Sequence, residues 1–67
     1  SMEGIPVGTI WIACGNKEEQ VAIRLSEDEG REKNVNNAVD KALELFLDFI
    51  VKHEPARGDE IVELIAE

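Results

Sequence analysis

Residues 7–14, Val7-Gly8-Thr9-Ile10-Trp11-Ile12-Ala13-Cys14, constrain this chain most. Val7, Thr9, Ile10, Trp11 and Ile12 are β-branched or aromatic, which favours a strand. Alternation sends Val7, Thr9, Trp11 and Ala13 to one face and Ile10, Ile12 and Cys14 to the other. Both faces are mainly apolar, the pattern of an interior strand covered on two sides. Pro6 sits just ahead of it, where a missing N–H costs least. Yet the chain has only 67 residues with which to supply that cover. A single domain of this length buries only about 60% of its unfolded surface, so its core is marginal and often relies on a partner.

The pattern downstream is that of a small α+β unit. Gly15-Asn16-Lys17-Glu18-Glu19 reads as a polar hairpin loop, with Gly-Asn as its turn signal. A second strand is expected over residues 20–26, with Val21, Ile23 and Leu25 on one face and Gln20, Ala22, Arg24 and Ser26 on the other. After the acidic linker Glu27-Asp28-Glu29-Gly30, a long helix is expected over residues 31–53. Val35, Ala38, Val39, Ala42, Leu43, Phe46, Phe49 and Ile50 recur at helical spacing along one face. Asp40, Lys41, Glu44, Asp48 and Lys52 take the opposite side, with Asp48 and Lys52 spaced as an ion pair. Leu45, Leu47 and Val51 widen the apolar arc beyond one stripe, enough for more than one neighbouring surface. Pro55 disfavours helical geometry at Glu54 and ends the helix. Asp59 is a suitable N-cap for a short final helix over residues 59–66, with Ile61, Leu64 and Ile65 as its stripe. Residues 1–67 thus form one small domain, and Ser1 ahead of Met2 reads as a tag remnant.

Charge narrows the classes of partner. Fifteen acids against seven bases give a net charge of −8. Nucleic-acid binding relies on a basic patch to replace phosphate counterions, and an anionic membrane surface asks for the same; neither is expected here. The longest apolar run, Ile10–Cys14, is five residues, far short of a membrane span. The lone cysteine, Cys14, cannot form an internal disulfide, which fits a reducing, cytoplasmic setting.

No catalytic constellation emerges. Cys14 as a nucleophile would need a base or an electropositive setting; at the end of an apolar strand it fits better as a small buried hydrophobe. The one histidine, His53, falls at the helix C-terminus, where the helix dipole suffices to explain it, and its spacing from Glu54, Glu60 and Glu63 announces no metal site. The acids at Glu27, Asp28 and Glu29 lack the spacing of a calcium loop and fit a solvated surface. Gly4, Gly8 and Gly15 form no phosphate-binding pattern. The remaining polar candidates for ligand binding are Gly8, Thr9, Arg31 and Asn34, for which turn formation, capping and solvation are competing explanations. No catalytic residue, metal or cofactor is assigned.

At Pro6-Val7-Gly8-Thr9-Ile10-Trp11-Ile12-Ala13 the chain resembles the CinA carboxy-terminal domain family, the nicotinamide-nucleotide amidases. Members carry a closely similar Pro-Val-Gly-Thr segment running into an apolar strand. A second strand, an Arg-containing acidic linker and an Ala- and Leu-rich helix follow it. Here the matching parts are Val21 to Leu25, Glu29-Gly30-Arg31-Glu32 and the helix from Ala38 to Leu45, so the resemblance covers roughly residues 5–52. It implies the last third of a three-layer α/β amidase domain. The family's catalytic serine lies in a Ser-Cys-Thr-Gly-Gly segment, and a Thr-Gly-Ile-Ala-Gly-Pro-Gly-Gly segment shapes its site; neither occurs in these residues. The linker reads Glu29-Gly30-Arg31 where the family has Gly-Asp-Arg, and the tail from His53 has no counterpart.

The expectation is therefore a hairpin, a long helix and a short helix in a non-catalytic acidic protein. It acts through homo-oligomerisation or a partner protein, with Trp11, Leu45, Leu47 and Val51 as interface residues. Two alternatives stand beside it: a piece of a nicotinamide-nucleotide amidase without its catalytic segments, and an acidic inhibitor of a basic protein surface.

Overall fold

The computed structural model of the chain describes residues 8–67. Strand β1 (Ile10–Gly15) and strand β2 (Gln20–Leu25) form the expected hairpin, and helix α1 (Arg31–Lys52) follows. The last element is a third strand, β3 (Ile61–Ala66). The sheet order is β2-β1-β3, with β1 antiparallel to both neighbours. The α+β class is thus observed, but the expected helix over 59–66 is a strand. Ile61, Leu64 and Ile65 fit a helical stripe, yet the same residues also alternate with period two. The central strand offers a second unpaired edge, and ladder hydrogen bonds there outweigh an isolated helix of this length. Asp59 accordingly caps no helix; its carboxylate accepts a hydrogen bond from the Lys17 backbone N–H at 3.1 Å.

The hairpin turn is built by Asn16. Its side-chain oxygen accepts from the N–H groups of Glu18 and Glu19 at 2.8 and 2.9 Å, and its own N–H donates to the Glu19 carbonyl at 2.9 Å. Gly15 lies within β1 opposite Gln20, one place later than the expected strand end. A Cβ there would sit 2.5 Å from the Glu19 carbonyl oxygen, so the tight turn admits no side chain.

One face of the sheet carries the core. Ile10 and Ile12 are buried beneath Ala38 and Ala42, with Ile23, Leu25 and Leu45 packed around them. The two alanines stand four residues apart on α1, and their small side chains let the helix lie close over β1. Cys14 and Phe49 extend the buried layer toward the hairpin end. The helix ends where expected: the His53 N–H donates to the Phe49 carbonyl at 3.0 Å, and the two rings lie 4.2 Å apart. On the solvent side of α1 the ion pair present is Lys41–Glu44 at 3.1 Å, rather than Asp48–Lys52. Both groups are exposed, so the pair contributes little.

Candidate functional site

Directly paired residues in an antiparallel ladder share a face. The register Trp11↔Arg24, Ala13↔Ala22, Trp11↔Ile65 and Ala13↔Glu63 therefore defines the sheet surface turned away from α1. Among the described residues no element covers it. Trp11 is 39% exposed, Ile61 60% and Ile65 52%. The Arg24 guanidinium lies 5.6 Å from the Trp11 ring centroid, a cation–π contact that shields one side of the indole. Val7, expected on this same face, lies outside the described residues, as do Gly4 and Pro6.

A second apolar surface runs along α1. Val35, Val39, Leu43, Leu47 and Val51 are all exposed, from 44% at Val39 to 66% at Val51. Each step of four residues turns the stripe about 40° around the helix. It therefore winds away from the buried Ala38–Ala42 face as it runs toward Val51, the most exposed of the five. Toward β2, Leu45, Asp48, Phe49 and Lys52 enclose a groove with Val21. Of the four expected interface residues, Trp11, Leu47 and Val51 are accessible, whereas Leu45 packs against the core.

The expected polar ligands partly converge. Gly8, Asn34 and Asn37 line a shallow pocket of about 290 Å³ together with Arg24, Glu27 and Glu29. Asn34 is buried and serves the loop before the helix. Its Oδ1 accepts from the Glu29 N–H at 2.8 Å and its Nδ2 donates to Asp28 Oδ1 at 2.9 Å. Asp28 also accepts from the Gly30 N–H at 3.1 Å, and Asn37 donates to Glu29 at 2.8 Å. The Asn34 contact, then the Gly30 contact, hold the Asp28 carboxyl below its ordinary range. Gly8 has φ 90°, and a Cβ on it would come 3.0 Å from Asn34 Nδ2 and 3.2 Å from Asp28. Thr9 is buried next to Gly8, while Arg31 stands exposed at the first helical position. The arrangement fastens the helix start to the beginning of β1.

Around the other end of the sheet, a cluster invisible in the sequence ties the segment before β3 to the hairpin. His53 Nε2 lies 2.9 Å from Glu19, and Arg57 lies 3.1 Å from Glu18. Asp59 Oδ1 is 3.7 Å from Arg57 Nε, too long for a hydrogen bond but close enough for charge attraction. The Glu60 carboxylate accepts from the Arg57 and Gly58 N–H groups at 2.7 and 2.9 Å. These contacts, the Arg57 one foremost, lower its pKa.

Neither chemistry weighed for the sequence gains support. Burial pushes the Cys14 thiol up, away from the thiolate, and its nearest polar contact is the Leu45 carbonyl at 3.9 Å. Among the described residues no three His, Cys, Asp or Glu side chains group as metal ligands. No helix among them is long and apolar enough to cross a membrane.

Comparison with curated proteins and with solved structures gives no match. The family model of the CinA C-terminal domain matches residues 1–50, which run from the segment before β1 through nearly all of α1 and stop short of β3. That is most of the chain, and it includes both the Pro-Val-Gly-Thr segment and the long helix. The chain belongs to the CinA C-terminal domain family.

Proposed function

We propose that this chain works by association, with a copy of itself or with a partner protein, and performs no chemistry with its own residues. The observation that carries this reading is a pair of apolar surfaces that no element among the described residues covers. One is the sheet face with Trp11, Ile61 and Ile65; the other is the α1 stripe ending in Leu47 and Val51. Exposed apolar area on this scale marks contact sites in proteins this small. The net charge of −8 favours a protein partner over nucleic acid or an anionic membrane. Sedimentation velocity at low micromolar concentration tests the reading, with an assembly larger than one chain as the expected result. A stable, well-folded monomer that captures no partner would overturn it.

The family match supports a second reading, in which these residues belong to a nicotinamide-nucleotide amidase whose catalytic segments lie outside them. The open surfaces would then meet the rest of that domain, and the pocket at Gly8 and Asn34, with Thr9 and Arg31 beside it, would stand nearest the ligand. A coding sequence upstream of Met2 that contains a Ser-Cys-Thr-Gly-Gly segment would favour this reading. A genuine start codon at Met2 would count against it.

A further inference from the structure

We infer that the open sheet face takes a basic segment of a partner protein, a lysine or arginine flanked by apolar side chains. The inference deepens the association reading and rests on it. It starts from a gap in the central column of that face. Gly15 has no side chain and Ala13 has a single methyl group, so the sheet surface is low there. Their ladder neighbours on this face are Gln20 and Ala22 of β2 and Ile61 and Glu63 of β3. The result is a depression of about 160 Å³, with Ala13 and Gly15 as its floor and Gln20, Ile61 and Glu63 as its walls. The glycine that opens it is the one the tight hairpin turn requires, so the depression comes with the turn.

Charge selects what fits. Among the described residues Glu63 takes part in no ion pair, and neither Gln20 nor Glu63 makes a side-chain hydrogen bond. Alternation from Ile65 puts Glu67 on the same face, a second carboxylate along the β3 column. The one base that the three strands place on this face, Arg24, already lies against the Trp11 ring. The β3 side therefore carries uncompensated negative charge, in a chain of net −8.

A lysine or arginine side chain has an apolar stem and a cationic head. The stem would lie over Ala13 and Ile61 while the head meets the Glu63 carboxylate, with the Gln20 side-chain carbonyl as a further acceptor at the opposite wall. An acidic segment would be repelled there. A wholly apolar one would desolvate Glu63 without pairing it, which costs free energy. The exposed Trp11, Ile61 and Ile65 would take the flanking apolar side chains, with the tryptophan as the aromatic anchor.

The test uses the full chain and a capped peptide that alternates leucine with lysine, with circular dichroism to verify folding. Trp11 is the sole tryptophan, so its emission should shift to the blue as the peptide covers it. Amide resonances of Ala13, Gly15, Ala22 and Glu63 should move more than those of Val39 and Leu43 on the α1 stripe. Glu63→Gln should weaken binding about fivefold, the loss of one surface ion pair. Asp40→Asn, on the solvent side of α1, changes the net charge equally and should weaken binding less than about twofold. A matched peptide with glutamate in place of lysine should not bind. Equal effects of Glu63→Gln and Asp40→Asn would reduce the attraction to net charge and overturn the inference, as would resonance shifts centred on α1. A wild type that sediments as an assembly but binds no lysine peptide would also overturn it and leave the association reading standing. A folded monomer that binds neither peptide nor partner would sink both.

Discussion

The two strands that flank β1 have equal length and opposite character. β2 alternates, with Gln20, Ala22 and Arg24 on the uncovered sheet face and Val21, Ile23 and Leu25 toward the helix. β3 is apolar on both, with Ile61 and Ile65 on the uncovered face and Val62 and Leu64 toward the helix side. Yet every residue of β3 is exposed, while Ile23 and Leu25 of β2 are half-buried. Apolar content is thus highest where burial is lowest. β3 thus carries more hydrophobic surface than the described residues cover, and the association proposed above rests on that excess.

Substitutions can break this contrast at graded cost. Ile12→Ala should cause the largest loss, because Ile12 is wholly buried and pairs with Ile23 on one side and Leu64 on the other. Removing a buried branched side chain costs about 2–5 kcal/mol, which in a domain this small approaches the entire stability. Urea denaturation followed by circular dichroism should find the variant largely unfolded.

Gly15→Ala should come next and should strike the β1–β2 seam first. The new methyl group meets the Glu19 carbonyl at 2.5 Å, so the turn must shift, at a cost of about 1–3 kcal/mol. Amide exchange should accelerate more in Val21 and Ile23, which pair with Cys14 and Ile12, than in Glu63 and Ile65. Uniform acceleration across the sheet would mean that the two flanking strands stand or fall together.

Asp59→Ala should act on the other side of the contrast. It removes the acceptor for the Lys17 N–H and the attraction to Arg57. The expected loss is about 1 kcal/mol, with faster exchange confined to β3.

The smallest effect is expected at Asp28. Its folded-state pKa is lowered by Asn34 and Gly30, so its stabilisation is present above the unfolded carboxylate range. That contribution fades as pH falls through the lower folded value. A carboxyl titration by nuclear magnetic resonance should place Asp28 below an ordinary aspartate, and Asn34→Ala should move it back up.

The hairpin, the helix and their boundaries were legible in the sequence to within a few residues, because the periodicity of each is long or its turn chemistry is specific. β3 was not. Over Ile61–Ala66 the apolar residues satisfy period two and the i, i+3, i+4 stripe alike, and six residues are too few to separate them. The signal that could have decided lay elsewhere: a central strand has two edges, and β2 fills only one. Asp59 misled for a similar reason, since a helix cap and a tether to Lys17 ask for the same side chain. The network around Asn34 could be named only as a set of polar residues, because the register that joins Asp28, Glu29 and Gly8 is set by how the helix docks. The clamp of His53 and Arg57 on the hairpin depends on the path of residues 53–60, which follows from β3 itself.

The sheet order also fixes when each part can assemble. β1 meets β2 across a four-residue turn, so that pairing is local and fast, and α1 can form beside it. β1 meets β3 only after the entire helix has been laid down between them, so closing that second ladder carries the larger loss of chain entropy. An intermediate with a finished hairpin, a docked helix and a loose final strand is therefore the expected last stop on the folding route. In that state Ile12 would lack one neighbour and both edges of the hairpin would stand open, so aggregation during refolding should compete hardest at this step.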